Sequence, residues 1–268
     1  MICIFCQKES TSSKSKEHIV PESLGNTKYT LKPGIVCDQC NNYFARKVEK
    51  PFLDHPSVIH LRFDQAIKNK KGLVPSVNGL ILPNIPVKLF RNIDEKDISL
   101  YIDIDLELTE KIRSQKKGKL IVPINNNPPD NKTISRFIAK IALEAMAQRL
   151  EEYNDGINYI ASEIQLNAIR RHARYGEITH WPVNIRRIYD ADRHFTTKSG
   201  REVQTVHEFD ILKTDNEEWF FIIAFFGLEF AINYAGPDIE GYQEWLQQHN
   251  EISPLYYGKN QNVHKEDD

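Results

Sequence analysis

The thiols of this 268-residue chain are four cysteines, and they stand in two pairs, Cys3-x-x-Cys6 and Cys37-x-x-Cys40. A C-x-x-C turn places two thiolates on one side of a tight knuckle. Two such knuckles supply four soft ligands to a tetrahedral Zn²⁺, with Zn–S about 2.3 Å. Two disulfides are the other reading of four cysteines. Met1 runs directly into the first knuckle, with no signal peptide between, and a reducing compartment turns paired knuckles into metal ligands. A four-thiolate site is closed and leaves no open position for a reaction. Its duty would be structural, and chemistry is expected in whatever it clamps.

Between the pairs lies Glu17-His18-Ile19-Val20-Pro21. Ile19 and Val20 give strand character, Pro21 ends it, and Ser23-Leu24-Gly25-Asn26 is a turn signal. A second short apolar segment, Gly34-Ile35-Val36, leads into Cys37. After Cys40 the run Asn41 to Glu49 reads as a helix, with Phe44 and Val48 four apart on one face. The expected order is strand, loop, strand, helix, with His18 on the first strand and Asn41 at the helix start.

These residues together, CxxC, then EHIVPxSLGN, then CxxCNNxF, resemble the HNH endonuclease family in its zinc-clamped ββα-metal form. The resemblance covers about the first 50 residues. It implies His18 as general base toward the water that attacks a phosphodiester, a role suited to an imidazole with its pKa near working pH. It also implies a catalytic divalent cation, Mg²⁺ or Mn²⁺, held by Glu17 and by the carbonyl oxygen of Asn41. Hard oxygen donors suit such an ion. Asn42 and Glu49 are weaker candidates. Asn41, Ala45 and Glu49 share a helix face by their spacing of four and four. Glu49 is taken as a further ligand of the catalytic ion, with a solvated helix acid as the other reading. The middle Asn of the family pattern falls at Lys32 here, and the nearest Asn, Asn26, sits in the turn.

Charge separates this end from the rest. The formal net charge is −2 and the pI near 6.5, which argues against a generally basic nucleic-acid binder. Yet residues 1–50 hold seven Lys and one Arg against five acids. A basic end on a neutral body fits phosphate contact at one face, with DNA as the expected partner. No apolar run reaches the length of a membrane span, so a cytoplasmic protein without membrane contact is expected.

A ββα unit of this size has too little core to stand easily alone. Beyond it, residues 51–72 read as a connector with partial helix. Residues 80–82 and 87–90 read as short strands. From Ile98 to Glu107 apolar and polar residues alternate, which predicts one half-buried strand with Asp103 and Asp105 on its solvated face. Ile134, Phe137, Ile138, Ile141, Ala142, Ala145 and Met146 recur at three and four and predict a core helix. A second helix is expected over 160–175. Its Arg170, Arg171, His172 and Arg174 make a basic end, read either as contact to a DNA backbone or as compensation of the helix dipole. Strands are expected at 183–189, 203–212, 219–226 and 228–234, with a final helix within 237–250.

The expected organisation is therefore α+β. A zinc-bound ββα-metal module spans 1–56. A mainly antiparallel α+β domain spans 73–258, with recognition, dimerisation or regulation as its role. The tail 259–268 is expected to be disordered. The leading function is hydrolysis of DNA, in the setting of restriction or phage defence, with a homodimer or a defence partner protein as company. The alternatives are a catalytically silent zinc module that binds nucleic acid or protein, and a nuclease that acts on RNA or nicks one strand.

Overall fold

The computed structural model describes residues 1–93, 98–114, 118–124, 127–189, 195–196, 202–203 and 207–255. The expected tail at 259–268 lies outside them. The architecture is α+β with antiparallel sheets. Contacts divide the chain into two compact units, one of residues 1–21, 26–52 and 129–268, the other of 22–25 and 53–128. This grouping differs from a partition into 1–56 and 73–258. The reason is that residues 129–268 supply the helices on which the N-terminal module packs.

In the first unit a short hairpin opens the chain. Strand β1 (Glu17–His18) pairs antiparallel with β2 (Thr30–Leu31), with Glu17 opposite Leu31 and His18 opposite Thr30. The second strand thus precedes the apolar segment 34–36. Pro33 cannot donate a ladder hydrogen bond, and Gly34 at φ 95° turns the chain toward the knuckle. Helix α1 (Asp38–Phe44) follows, capped by the Cys37 sulfur, which accepts from the Cys40 amide. A π-helical turn, Ala45–Glu49, continues into α2 (Lys50–Leu53).

The second unit holds α3 (Pro56–Asp64), which His55 caps by accepting from the Ser57 amide. Its sheet contains β3 (Val77–Ile81), β4 (Ile85–Ile93) and β5 (Ile98–Asp103). Helix α4 (Leu106–Arg113) and β6 (Leu120–Ile121) follow. The sheet order is β5-β4-β3-β6, all antiparallel. Phe63, Val77, Ile81, Val87 and Leu89 form the core of this unit. The alternating run from Ile98 does not continue to Glu107. Asp105 caps α4 by accepting from the Leu108 amide at 2.7 Å, so a cap ends the strand that periodicity alone would prolong.

The first unit resumes with α5 (Asn131–Leu150), N-capped by Asp130. Next come α6 (Gly156–Ser162) and α7 (Asn167–Tyr175), which replace the single helix expected over 160–175. Glu163 is extended at ψ 120°, and its carboxylate accepts from the Gln165 amide at 3.0 Å, which breaks the helix in two. Gly176 at φ 64° ends α7.

A second sheet is built from β7 (Asn184–Arg187), β10 (Glu208–Lys213), β11 (Trp219–Phe225) and β12 (Leu228–Asn233), in the order β10-β11-β12-β7. The pair β8 (Phe195–Thr196) and β9 (Glu202–Val203) stands apart from that sheet. Helix α8 (Glu240–Gln248) lays Tyr242 and Leu246 on Phe220, Ile222, Ala224 and Ala231. From the other face the Tyr234 hydroxyl donates to the Ala142 carbonyl of α5 at 2.8 Å. A sheet covered on both faces explains why β11 is apolar without alternation.

Helix α5 is the axis of this unit. It is buried at every position from Phe137 to Ala145, so it has no solvated face there. Phe137 stacks on Phe52 with ring centroids 4.1 Å apart.

Candidate functional site

None of the four cysteines is in a disulfide, and their sulfurs all lie within 4.8 Å of one another. Tetrahedral zinc with Zn–S about 2.3 Å sets its sulfurs about 3.8 Å apart. The Cys6 and Cys37 sulfurs are 3.6 Å apart. The Cys37 amide donates to the Cys3 sulfur, and the Cys40 amide to the Cys37 sulfur, each at 3.4 Å. Amide donors stabilise thiolate charge. A hydrogen bond from Cys40 holds the Cys3 thiol down to about 4, and the same contact, with burial, pushes Cys40 up. Crowded thiols thus share out their protons, a conflict that a divalent ion would relieve. The donor set fits Zn²⁺ in a structural role.

Helices α6 and α7 grip both knuckles. Gln7 donates through Nε2 to the Ala161 carbonyl at 2.7 Å. Arg170 is buried and donates through Nε to the Ile4 carbonyl at 2.7 Å. Arg174 donates through Nη1 to the Cys40 sulfur. Arg136 of α5 donates to the Tyr43 hydroxyl at 3.2 Å and to the Arg174 carbonyl at 2.7 Å. The basic end of α7 does not act as one block. Arg170 and Arg174 point inward at the knuckles. Arg171 is exposed and pairs with Glu177 at 2.7 Å. His172 is buried against Ser135 at 2.8 Å, and burial, followed by the charges of Arg136 and Lys132, holds its pKa down to about 4.

The hairpin carries Glu17 and His18 on opposite faces, as strand alternation requires. Glu17 is buried and His18 half-buried. Asn26 steadies the loop between the strands. Its Nδ2 donates to the Val20 carbonyl at 2.6 Å and the Tyr29 carbonyl at 2.9 Å, while its Oδ1 accepts from the amides of Lys28 and Tyr29.

Glu17 points at Lys140 of α5. The Lys140 ammonium lies 2.7 Å from Glu17 Oε1, 2.8 Å from Glu49 Oε1, 2.9 Å from Glu144 Oε2 and 3.1 Å from the His18 carbonyl oxygen. Lys140 is fully buried. Burial works against its charge, but Glu144, Glu17 and Glu49 outweigh it and hold its pKa well above the lysine range. Burial pushes the Glu144 carboxyl well up, and Lys140 offsets only part of that.

The residues expected to hold a divalent cation are thus only partly assembled. Glu17 and Glu49 do converge, but on an ammonium. The π-helical turn at Ala45–Glu49 breaks the spacing that put Asn41 and Glu49 on one face. Asn41 directs Nδ2 at the Lys16 carbonyl at 3.5 Å and is not among the described partners of Lys140. Asn42 is exposed. Among the described residues the four cysteines are the sole group of three or more His, Cys, Asp or Glu side chains whose ligand atoms already lie close enough together to hold a metal ion. The set Glu17, Asn41 and Glu49 does not fit Mg²⁺ or Mn²⁺ in this arrangement.

Sequence reasoning missed Lys140 and Glu144, which lie in a helix read as an apolar core element. The available signal was alanine on several sides of that helix, at 139, 142, 145 and 147, which leaves no face for a solvated lysine.

Residues 3–57 match the family model described as HNH endonuclease. Comparison with curated proteins and with solved structures found no match. The matched segment is of the HNH type, it supports a nuclease-type activity in general, and it implies a nucleic-acid substrate. Among the described residues no helix is long and apolar enough to cross a membrane.

Proposed function

We propose that this chain is an endonuclease that hydrolyses DNA phosphodiester bonds, with His18 as general base. Restriction or phage defence is the setting we propose for it. The observation that carries this reading is the placement of His18. Its strand is tied to α1 by Asn41, whose Nδ2 donates to the Lys16 carbonyl at 3.5 Å, and to α5 by Lys140, through the His18 carbonyl. Its ring is half-buried on the face away from Glu17. An imidazole held there takes a proton from a water aligned on the phosphorus.

The surroundings support a phosphate partner. Lys8, Lys14, Lys16, Lys28, Lys32, Arg46, Lys47 and Lys50 are all exposed. Such cations supply sequence-independent attraction to a nucleic-acid backbone. No step of this reading passes through Glu17, Asn41 or Glu49 as metal ligands.

The test is cleavage of plasmid DNA by wild type and His18→Ala, with Mg²⁺ or Mn²⁺ supplied. The expected result is a loss of about 10²- to 10⁴-fold in His18→Ala, with zinc content and circular dichroism unchanged. Equal cutting by both proteins would overturn the role of His18. Absence of cutting by wild type on DNA and RNA alike would leave a zinc module that binds without reacting. Mapping the ends separates nicking from double-strand cutting.

A further inference from the structure

The shell around Lys140 Nζ is built like a cation site. Three carboxylates and one backbone carbonyl face a single point, at 2.7 to 3.1 Å. That donor set, carboxylates plus a main-chain carbonyl, is the kind that hard divalent ions take. The distances, however, are those of N⁺–H···O bonds, longer than the coordination lengths of Mg²⁺. Two of the carboxylates, Glu17 and Glu49, come from the HNH-type segment, and the third comes from α5 itself. Their partner arrives from a residue 123 positions along the chain from Glu17.

We propose that Lys140 is the resident cation of this centre. Its ammonium fills the place among Glu17, Glu49 and the His18 carbonyl that a divalent metal ion would otherwise occupy. Both cannot be held there. A metal ion on Glu17 Oε1 would face the ammonium at short range, and like charges in a dry interior repel strongly. The lysine is kept charged by the very carboxylates that would have bound the metal. The arrangement also fixes the strand, because the fourth contact of the ammonium is the carbonyl of His18. Lys140 is therefore a positioning residue for His18 and takes no part in bond making. The inference rests on this geometry and stands apart from the nuclease reading.

The experiment is a titration of the zinc-loaded full chain with Mn²⁺, followed by electron paramagnetic resonance of the free aquo ion. Wild type is expected to leave the signal as it is in buffer. Lys140→Ala, with its three carboxylates released, is expected to take up Mn²⁺ stoichiometrically. Glu17→Gln placed in that background is expected to abolish the uptake. A lysine that merely fills space would give a folded Lys140→Ala with no new metal affinity, and that result overturns the proposal. Uptake by wild type that Glu17→Gln removes overturns it as well. Uptake by wild type that survives Glu17→Gln and Glu49→Gln lies elsewhere and supports it. Should Lys140→Ala fail to fold, the comparison of wild type with Glu17→Gln decides alone. Plasmid cleavage is read separately. Absence of cutting by wild type with the Mn²⁺ pattern intact refutes the nuclease reading and leaves Lys140 in its role.

Discussion

Two clusters of like side chains lie in the same compact unit, and each faces the same electrostatic problem. At the knuckles, four thiols crowd within 4.8 Å. At the hairpin, three carboxylates crowd around one point. The sulfur cluster is suited to completion by an ion from solution, because soft thiolates bind Zn²⁺ tightly and a cation of the chain, the Arg174 guanidinium, reaches the Cys40 sulfur alone by hydrogen bond among the described residues. The carboxylate cluster is completed from within, by Lys140. Oxygen donors gain from any hard cation, including an ammonium with three protons to give. The contrast teaches that a donor set read from a motif does not by itself identify its cation. What reaches the donors first through the fold decides.

The comparison can be broken or sharpened by substitution. The largest effect is expected at the imported ion. Cys37→Ser removes one of four thiolates, and the binding free energy at stake is on the order of 10 kcal/mol. The expected outcome is insoluble protein or loss of the N-terminal module, with less than stoichiometric zinc by metal analysis. A folded variant with full cleavage activity would show that the knuckles do not depend on metal.

A smaller but still large effect is expected at the internal cation. Lys140→Met removes the buried cation that three carboxylates share, at a cost of about 3–5 kcal/mol. Denaturant unfolding should report it as a lower midpoint. Adding Glu144→Gln should recover part of the loss, since it removes one of the stranded groups. Undiminished stability in Lys140→Met would mean that the carboxylates had been protonated all along.

The smallest effect is expected beside the sulfur cluster. Arg174→Gln removes the guanidinium that donates to the Cys40 sulfur. Zinc retention against a competing chelator should fall about 10- to 100-fold, the usual range for an outer partner of a metal ligand. An unchanged retention would mean that the zinc charge is balanced without help from α7.

Particular residues show how much of the site was open to sequence reasoning. The cysteine pairs were legible because knuckle spacing is local and a thiolate needs no distant partner to declare itself. Glu17 and His18 were legible as a dipeptide between the knuckles. Glu49 was read as a ligand of the same ion as Glu17 by a face argument that the π-helical turn breaks, and both acids meet Lys140. Asp105 was read as a strand residue because alternation does not report a cap. Arg170 and Arg174 were read as a basic helix end, for a DNA backbone or the helix dipole, since such an end carries no mark of the knuckle it packs on.

By itself the sequence determined the ligand chemistry: sulfur in two knuckles, a histidine beside an acid, and apolar periods that make antiparallel sheets and a long core helix. Those are properties of residue type and short spacing, and short spacing survives any packing. Only the tertiary structure decided which charge meets Glu17. Lys140 lies 123 residues from it, and closing so long a stretch of chain is a matter of how α5 is buried, not of any pattern within either segment. A lysine in an apolar interior keeps its charge only where acids from elsewhere surround it, so its role exists in the folded chain alone.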